Sequence, residues 1–182
     1  PLIGMGGDQL LPALGLRAGS LAGQEAAQLA GRRFLERYLE DVRSFPLARE
    51  LLGRARDGGA TIVAATSADP KIVAAILHHT ALTDMFTRVT DSSDADESKP
   101  SPDILVAALT AMGEEPRDAL MIGDTPYDVA AAARANVRCI AFRCGGWRDA
   151  DLAGALEVHD DPAALLDAWT ASIIGEVCRS RS

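Results

Sequence analysis

The chain has 182 residues, 48% hydrophobic and 24% charged, with a formal net charge of −8. That length holds one domain with a real core and at most a small satellite, and that composition is globular rather than disordered. The acidic balance and the absence of a long basic cluster exclude nucleic acid or an anionic membrane surface as the main partner. No run of about 18 apolar residues offers a membrane-spanning helix.

Residues 1–7, PLIGMGG, are glycine-rich, and Asp8 opens a short helix with Leu10, Leu11 and Leu14 on its apolar side. From Leu21 to Val42 apolar residues recur mostly at spacings of three and four, including Leu29, Phe34, Leu35, Tyr38 and Leu39. This predicts one long amphipathic helix. Pro46 interrupts and a new helix runs from Leu47 to Arg56, stopped by Asp57-Gly58-Gly59.

The texture then changes. Ile62 to Ala65 is a short apolar run ending in the hydroxyls of Thr66 and Ser67. Asp69-Pro70 starts a helix to His79, and Phe86 to Val89 is a second apolar run. A polar loop covers 91–103, with a helix from Ile104 to Met112 after it. Ala119 to Ile122 reads as a buried strand; Gly123 and Asp124 follow, and Pro126 sits where a first helical turn tolerates it. Val137 to Phe142 is another strand, Trp147 to Ala153 a helical turn, and Leu156 to Val158 a last, weak strand. Asp160-Asp161-Pro162 caps a final helix through Ile173. Strands alternating with helices predict a parallel sheet with helices on both faces. Residues 1–45 show no strand, so the expected organisation is a partial helical cap over 1–45 and an α/β core over 46–182.

Three groups of polar residues fall just beyond predicted strand ends, the edge where open α/β sheets bind ligands. Thr66 and Ser67 offer hydroxyls and successive N–H groups at a helix start, which suits phosphate; helix capping is the plainer reading. Lys99 lies in ESKPSPD, where Pro100 and Pro102 hold the chain extended and aim the lysine; the plainer reading is a solvated side chain. Asp124 and Asp128 stand four apart at a strand end and helix start. Such a pair can share a cation, and magnesium is typically held by one or two carboxylates with phosphate and water. Capping and the helix dipole are the alternative use of both acids. Together the three groups suit phosphoryl transfer by positioning and electrostatics, without a nucleophile. His78, His79 and His159 read as capping or surface residues, and Trp147 and Trp169 as packing. The acidic run Asp91, Asp94, Asp96 and Glu97 has no glycine turn or distal glutamate for a calcium loop, and reads as solvated.

The order Thr66, KPSPD around Lys99 and GDTPYD from Gly123 to Asp128 resembles motifs II, III and IV of the haloacid dehalogenase (HAD) superfamily. The branch it resembles is the phosphoglycolate-phosphatase-like one, over about residues 1–170. The resemblance implies a HAD-like Rossmannoid parallel sheet with helices on both faces and a helical cap. It assigns Thr66 to phosphate binding beside Ser67, Lys99 to charge stabilisation, Asp124 to ligation of Mg2+, and Asp128 to supporting or sharing that metal. IGMGGD at 3–8 resembles the cap's substrate-facing loop, which makes Gly6, Gly7 and Asp8 candidate substrate contacts. The implied activity is magnesium-dependent hydrolysis of a small phosphorylated metabolite through an aspartyl-phosphate. A dehalogenase or phosphomutase shares the scaffold, but a dehalogenase would not need magnesium.

The sequence departs from the family at motif I, an apolar strand followed by DxDG[TS] that supplies the nucleophile and the general acid/base. Asp8 follows Gly6-Gly7 rather than a strand, and Leu10 stands where the second acid is needed, so Asp8 is rejected as the nucleophile. The core is therefore expected to lack its first, central strand, which would leave neighbouring strands with unpaired backbone groups. The chain starts at Pro1, through methionine removal or a missing N-terminal segment. The expectation is that the full-length protein is the hydrolase and the 182-residue chain is inactive. A non-catalytic phosphate- and metal-binding or interaction protein is the alternative. Three cysteines without a tight framework, Cys139, Cys144 and Cys178, and no signal-peptide pattern set the expected compartment as cytoplasmic.

Overall fold

A computed structural model describes residues 6–181. The chain forms α1 (Gly7–Ala13), α2 (Leu21–Arg37), α3 (Ala48–Asp57), β1 (Val63–Ala65), α4 (Pro70–His79) and β2 (Arg88–Thr90). It continues through α5 (Asp103–Met112), β3 (Leu120–Gly123), α6 (Pro126–Arg134), β4 (Arg138–Phe142), β5 (Glu157–His159), α7 (Pro162–Asp167) and α8 (Ile173–Arg181). Three helix starts share one device. Asp69, Thr125 and Asp161 each cap with a side-chain oxygen, and each is followed by a proline at the first helical position. Proline there loses no hydrogen bond and its φ suits the helix.

Four expected elements differ. The long helix ends at Arg37, and Leu39–Asp41 is a separate 3-10 turn. Its apolar residues find little cover: Leu21, Leu29 and Tyr38 are exposed, so packing does not hold the last turn in α geometry. The second strand starts later, at Arg88, because Thr83–Met85 forms a 3-10 turn that buries Met85. Residues 147–153 form turns rather than a helical turn. The last helix is two, α7 and α8. The break at Ala168–Ser172 lets Trp169 and Ile174 both reach the core, and the Ser172 side chain donates to the Trp169 carbonyl.

The strands fall into two parallel groups, β1–β2 and β3–β4–β5. Val63 pairs with Arg88 and Ala65 with Thr90; Leu120 pairs with Arg138 and Ile122 with Ile140; Ile140 pairs with Glu157. Side chains alternate across β4 with the two-residue period of a strand. Cys139 and Ala141 join a core with Met121, Ile104 and Leu105 of α5, and Val129 and Ala132 of α6. Ile140 and Phe142 join a second core with Leu51 and Ala55 of α3, Leu165 of α7, and Ile174 and Cys178 of α8. Helices thus cover both faces, and β4, paired on both edges, is almost wholly buried. β1 and the apolar part of β3 are mostly only half-buried, although their residues are as apolar. Both line one cavity of about 620 Å³, walled also by α3, α5 and α8. No helix among the described residues is long and apolar enough to cross a membrane.

Ile140 is fully buried at the centre of the paired strands. Ile140→Ala should lower unfolding free energy by about 3 kcal/mol, the usual cost of emptying such a site, read as a drop in the urea midpoint without a change in slope.

Candidate functional site

The site begins with the turn that follows β3. A strand ending in glycine delivers Asp124 to the sheet edge, and Thr125 opens α6 with a capping box. Its hydroxyl accepts from the Asp128 amide at 3.2 Å. Asp128 answers with one oxygen, Oδ2, which accepts from the Asp124 amide at 3.1 Å, the Thr125 amide at 3.0 Å and the Thr125 hydroxyl at 2.7 Å. Gly123 is needed here, because a Cβ at that position would overlap the Asp128 side chain. The other oxygen, Oδ1, takes the Lys99 ammonium at 2.6 Å. Asp128 is buried and Lys99 partly so, with side-chain exposures of 5% and 14%.

Lys99 arrives by a turn rather than by an extended segment. The Ser101 amide donates to the Ser98 carbonyl, and the Lys99–Pro100 peptide is cis. The two prolines do not hold the chain straight, since the turn carries its own backbone bond. The Lys99 amide donates to Ser67 Oγ at 3.2 Å. Thr66 Oγ1 accepts from the Ala68 amide at 3.2 Å, and the Thr66 amide continues the β1–β2 ladder to the Thr90 carbonyl. The carboxyl ends of β1 and β3 therefore meet at one edge, joined by the chain Ser67–Lys99–Asp128–Asp124.

Asp8 reaches the same loop. Its carboxylate accepts from the Ser98 amide at 3.0 Å and from the Ser98 hydroxyl. A Cβ on Gly6 would strike the Ser98 side chain, so the glycine permits this approach. Gly7 has open space around it. Residues 3–5 of the glycine-rich stretch lie outside the described residues. Ser98 was not singled out by sequence reasoning; it stands next to Lys99 but matches no motif. Gly145 is a second such residue. A Cβ there would collide with the Asp124 carbonyl, so the 144–146 turn packs directly on Asp124. The Gly145-Gly146 pair was the available signal. Beside it Arg143 pairs with Asp149 and Asp160 at 2.6 and 2.7 Å, which ties down that turn from the outside.

The other polar candidates do not converge here. Asp91 and Asp94 bond backbone amides of their own loop, and the Glu97 amide donates to Asp103. His159 lies in β5 and pairs with Glu157 at 2.9 Å, rather than in a surface loop, because Glu157 also accepts from the α8 amide of Ile173 and fixes the pair against the fold. Trp147 stacks edge-on against Tyr127 and Trp169 is buried, both as packing. Burial, then the Asp128 charge, pushes the Cys139 thiol up to about 12, so it is an inert core group.

Asp124 is the site's open carboxylate. Burial, then the nearby Asp128 charge, raises its pKa above the ordinary carboxylate value, with Lys99 opposing. A cation at Asp124 would relieve both causes. No group of three or more His, Cys, Asp or Glu side chains suited to a metal occurs among the described residues. A hard cation at this edge would take one carboxylate, Asp124, from the described residues and leave the rest of its shell to phosphate and water, a donor set compatible with magnesium.

Two outcomes test this electrostatic reading. Lys99→Met strands a buried carboxylate and should cost about 3 kcal/mol, the lower end for a broken buried pair because Asp128 keeps its other donors; urea unfolding reads it. For Asp124, a folded pKa above the unfolded one means its contribution is fully present at low pH and lost as pH rises through the folded value. Without metal, Asp124→Asn should therefore raise the melting temperature at pH 7, and the gain should vanish below about pH 4.

Comparison with known proteins follows the same lines. The family model for haloacid dehalogenase-like hydrolases matches residues 3–136. A phosphoglycolate phosphatase of Rhodospirillum rubrum is 35% identical over 161 residues, covering 85% of this chain and 66% of that protein. Phosphoglycolate phosphatase 1 of Pseudomonas aeruginosa is 29% identical over 126 residues, covering 68% of this chain and 46% of that protein. The chain therefore spans from under half to just under two thirds of the length of these curated relatives. A hydrolase from Pseudomonas syringae superposes with a TM-score of 0.84 at 26% identity, covering 93% of this chain and 80% of that one. On the family match, the 35% identity and the shared fold, the chain belongs to the haloacid dehalogenase-like hydrolase family.

Proposed function

We propose that these residues form the phosphate- and metal-handling part of a magnesium-dependent phosphomonoester hydrolase that acts on a small phosphorylated metabolite. The observation that carries the reading is the 2.6 Å Lys99–Asp128 pair, with Asp128 bonded in turn to the Asp124 amide. It fixes an ammonium and an open carboxylate at one sheet edge. An ammonium has three donors, and Asp128 uses one, so Lys99 keeps others for phosphoryl oxygens. Thr66 and Ser67 each accept a backbone amide on oxygen, which leaves each O–H free to donate to the same group. Asp124 would hold the magnesium, whose charge offsets that of the phosphoryl oxygens. Asp128 has no free role as a ligand while four donors occupy it, so its part is to orient Lys99 and the Asp124 turn. Asp8, tied to Ser98, positions the lysine loop from the cap side, and Gly6 allows that approach. On this reading 1–45 is a partial helical cap and 46–182 the catalytic core. The names of relatives in Rhodospirillum rubrum and Pseudomonas aeruginosa favour a small phosphomonoester such as phosphoglycolate.

Hydrolysis through an aspartyl-phosphate needs a further carboxylate beside Lys99 and Thr66. Asp8 and Asp128 are engaged by Ser98 and Lys99, and Asp124 is assigned to the cation. The 182-residue chain is accordingly proposed to bind phosphate and magnesium without turnover, the nucleophile belonging to a fuller protein. The same observation supports a second reading, a non-catalytic phosphate- and metal-binding protein.

Calorimetric titration of the 182-residue chain with orthophosphate and Mg2+ should show binding. Asp124→Asn should abolish the magnesium dependence, and Lys99→Met should weaken phosphate on the order of tenfold, the worth of a charge-assisted hydrogen bond. Turnover of p-nitrophenyl phosphate should not exceed that of a Thr66→Val, Asp124→Asn double variant. Turnover above that blank would overturn the inactive assignment, and no phosphate binding would overturn the site.

A further inference from the structure

We infer that Arg143 is a positioning residue for the magnesium-bearing carboxylate of Asp124. It acts through the turn that follows β4. The strands β3 and β4 run parallel with Gly123 opposite Ala141, so the residues beyond each strand emerge side by side at the carboxyl edge. There residues 144–147 cross from one face of the sheet to the other. Cys144 packs with the α3, α7 and α8 core, and Trp147 with the α5 and α6 core, edge-on against Tyr127 of α6. Between these anchors Gly145 lies against Asp124. A Cβ on that glycine would come within 2.1 Å of the Asp124 carbonyl oxygen and 2.9 Å of the Asp124 Cβ and Cγ. The turn therefore occupies part of the space that the Asp124 side chain could otherwise sweep. A carboxylate held this way has less rotamer freedom to lose when it takes a cation.

Arg143 holds the turn in place. Its Nε and Nη2 meet the two oxygens of Asp149 at 2.6 and 2.8 Å, and its Nη1 meets Asp160 at 2.7 Å. Asp160 stands just past β5 and next to Asp161, which caps α7, so that end of the clamp sits on a fixed helix start. Exposed ion pairs usually contribute little, but a bidentate guanidinium shared by two carboxylates is a geometry that does hold. A lysine cannot reproduce it, because an ammonium has no planar fork. Arg148 is the contrast: it is 84% exposed and pairs with Asp151 three residues on, at 3.0 Å, a local contact that joins no distant segments. The assignment of Arg143 rests on the proposed hydrolase reading, in which Asp124 is the magnesium ligand.

Calorimetry of the 182-residue chain with orthophosphate, with and without Mg2+, tests it. Arg143→Gln should weaken Mg2+ binding about tenfold, the lower end of what residues that orient a metal ligand contribute. Phosphate binding without Mg2+, which falls to Lys99, Thr66 and Ser67, should stay within about twofold, and the urea midpoint within about 0.5 M. Arg143→Lys should recover part of the loss. The direction of the change separates positioning from charge. Deleting a cation near a magnesium site favours Mg2+ electrostatically, so a purely electrostatic role predicts tighter binding. Arg148→Gln, which deletes the same charge and spares the clamp, should leave Mg2+ affinity unchanged or slightly higher. Unchanged or tighter Mg2+ binding in Arg143→Gln would overturn the assignment. So would equal losses of phosphate binding with and without Mg2+, which mark a general loosening of the edge, and so would the same loss in Arg148→Gln. If the unaltered chain binds neither phosphate nor Mg2+, the hydrolase reading falls and this assignment falls with it. If the unaltered chain binds both and Arg143→Gln binds them equally well, the assignment falls alone.

Discussion

Asp128 is 3% exposed and ionisable, a combination that a folded chain tolerates only when each carboxylate oxygen has donors. One oxygen takes Lys99; the other takes the Asp124 amide and both donors of Thr125. The site depends on this arrangement. It starts α6, sets the turn that presents Asp124, and draws in a lysine 29 residues earlier in the chain. The lysine brings its loop, the loop bonds Ser67 at the end of β1, and Ser98 bonds Asp8 of α1. A single buried charge therefore connects both strand groups and the N-terminal helix.

The sheet explains why that connection matters. β1–β2 and β3–β4–β5 share no ladder, and the cavity between them removes the usual backbone link between halves of a parallel sheet. The halves are held by helices on the two faces and by the polar chain at the carboxyl edge. The contrast between buried β4 and the half-buried apolar strands beside the cavity follows from pairing. A strand with two neighbours has its edges as well as its faces shielded.

Much of the fold was legible because its signals are local. Pro70, Pro126 and Pro162, each after a capping residue, marked three helix starts, and the short apolar runs marked the strands to within one or two residues. The errors fall where distant packing decides. Leu21, Leu29 and Tyr38 give α2 a helical stripe without showing that the stripe is largely exposed. The turn at Ala168–Ser172 contains no proline or glycine, and only the burial of Trp169 and Ile174 on one core explains it. At the site, four-residue spacing placed Asp124 and Asp128 at the same helix start. It could not say that one carboxylate is saturated and the other open, because the saturating donors include Lys99.

The sequence by itself determined the alternation of strands and helices, the family resemblance of KPSPD and GDTPYD, and the residues available for phosphate and cation chemistry. These rest on patterns of a few residues, where backbone sterics and capping act. Only the tertiary structure decided that Asp128 is a structural anchor and that Ser98 and Gly145 pack into the same edge as Lys99 and Asp124. Each of these depends on hydrogen bonds or close approaches between segments remote in sequence, and the geometry of such contacts exists only once the chain has packed.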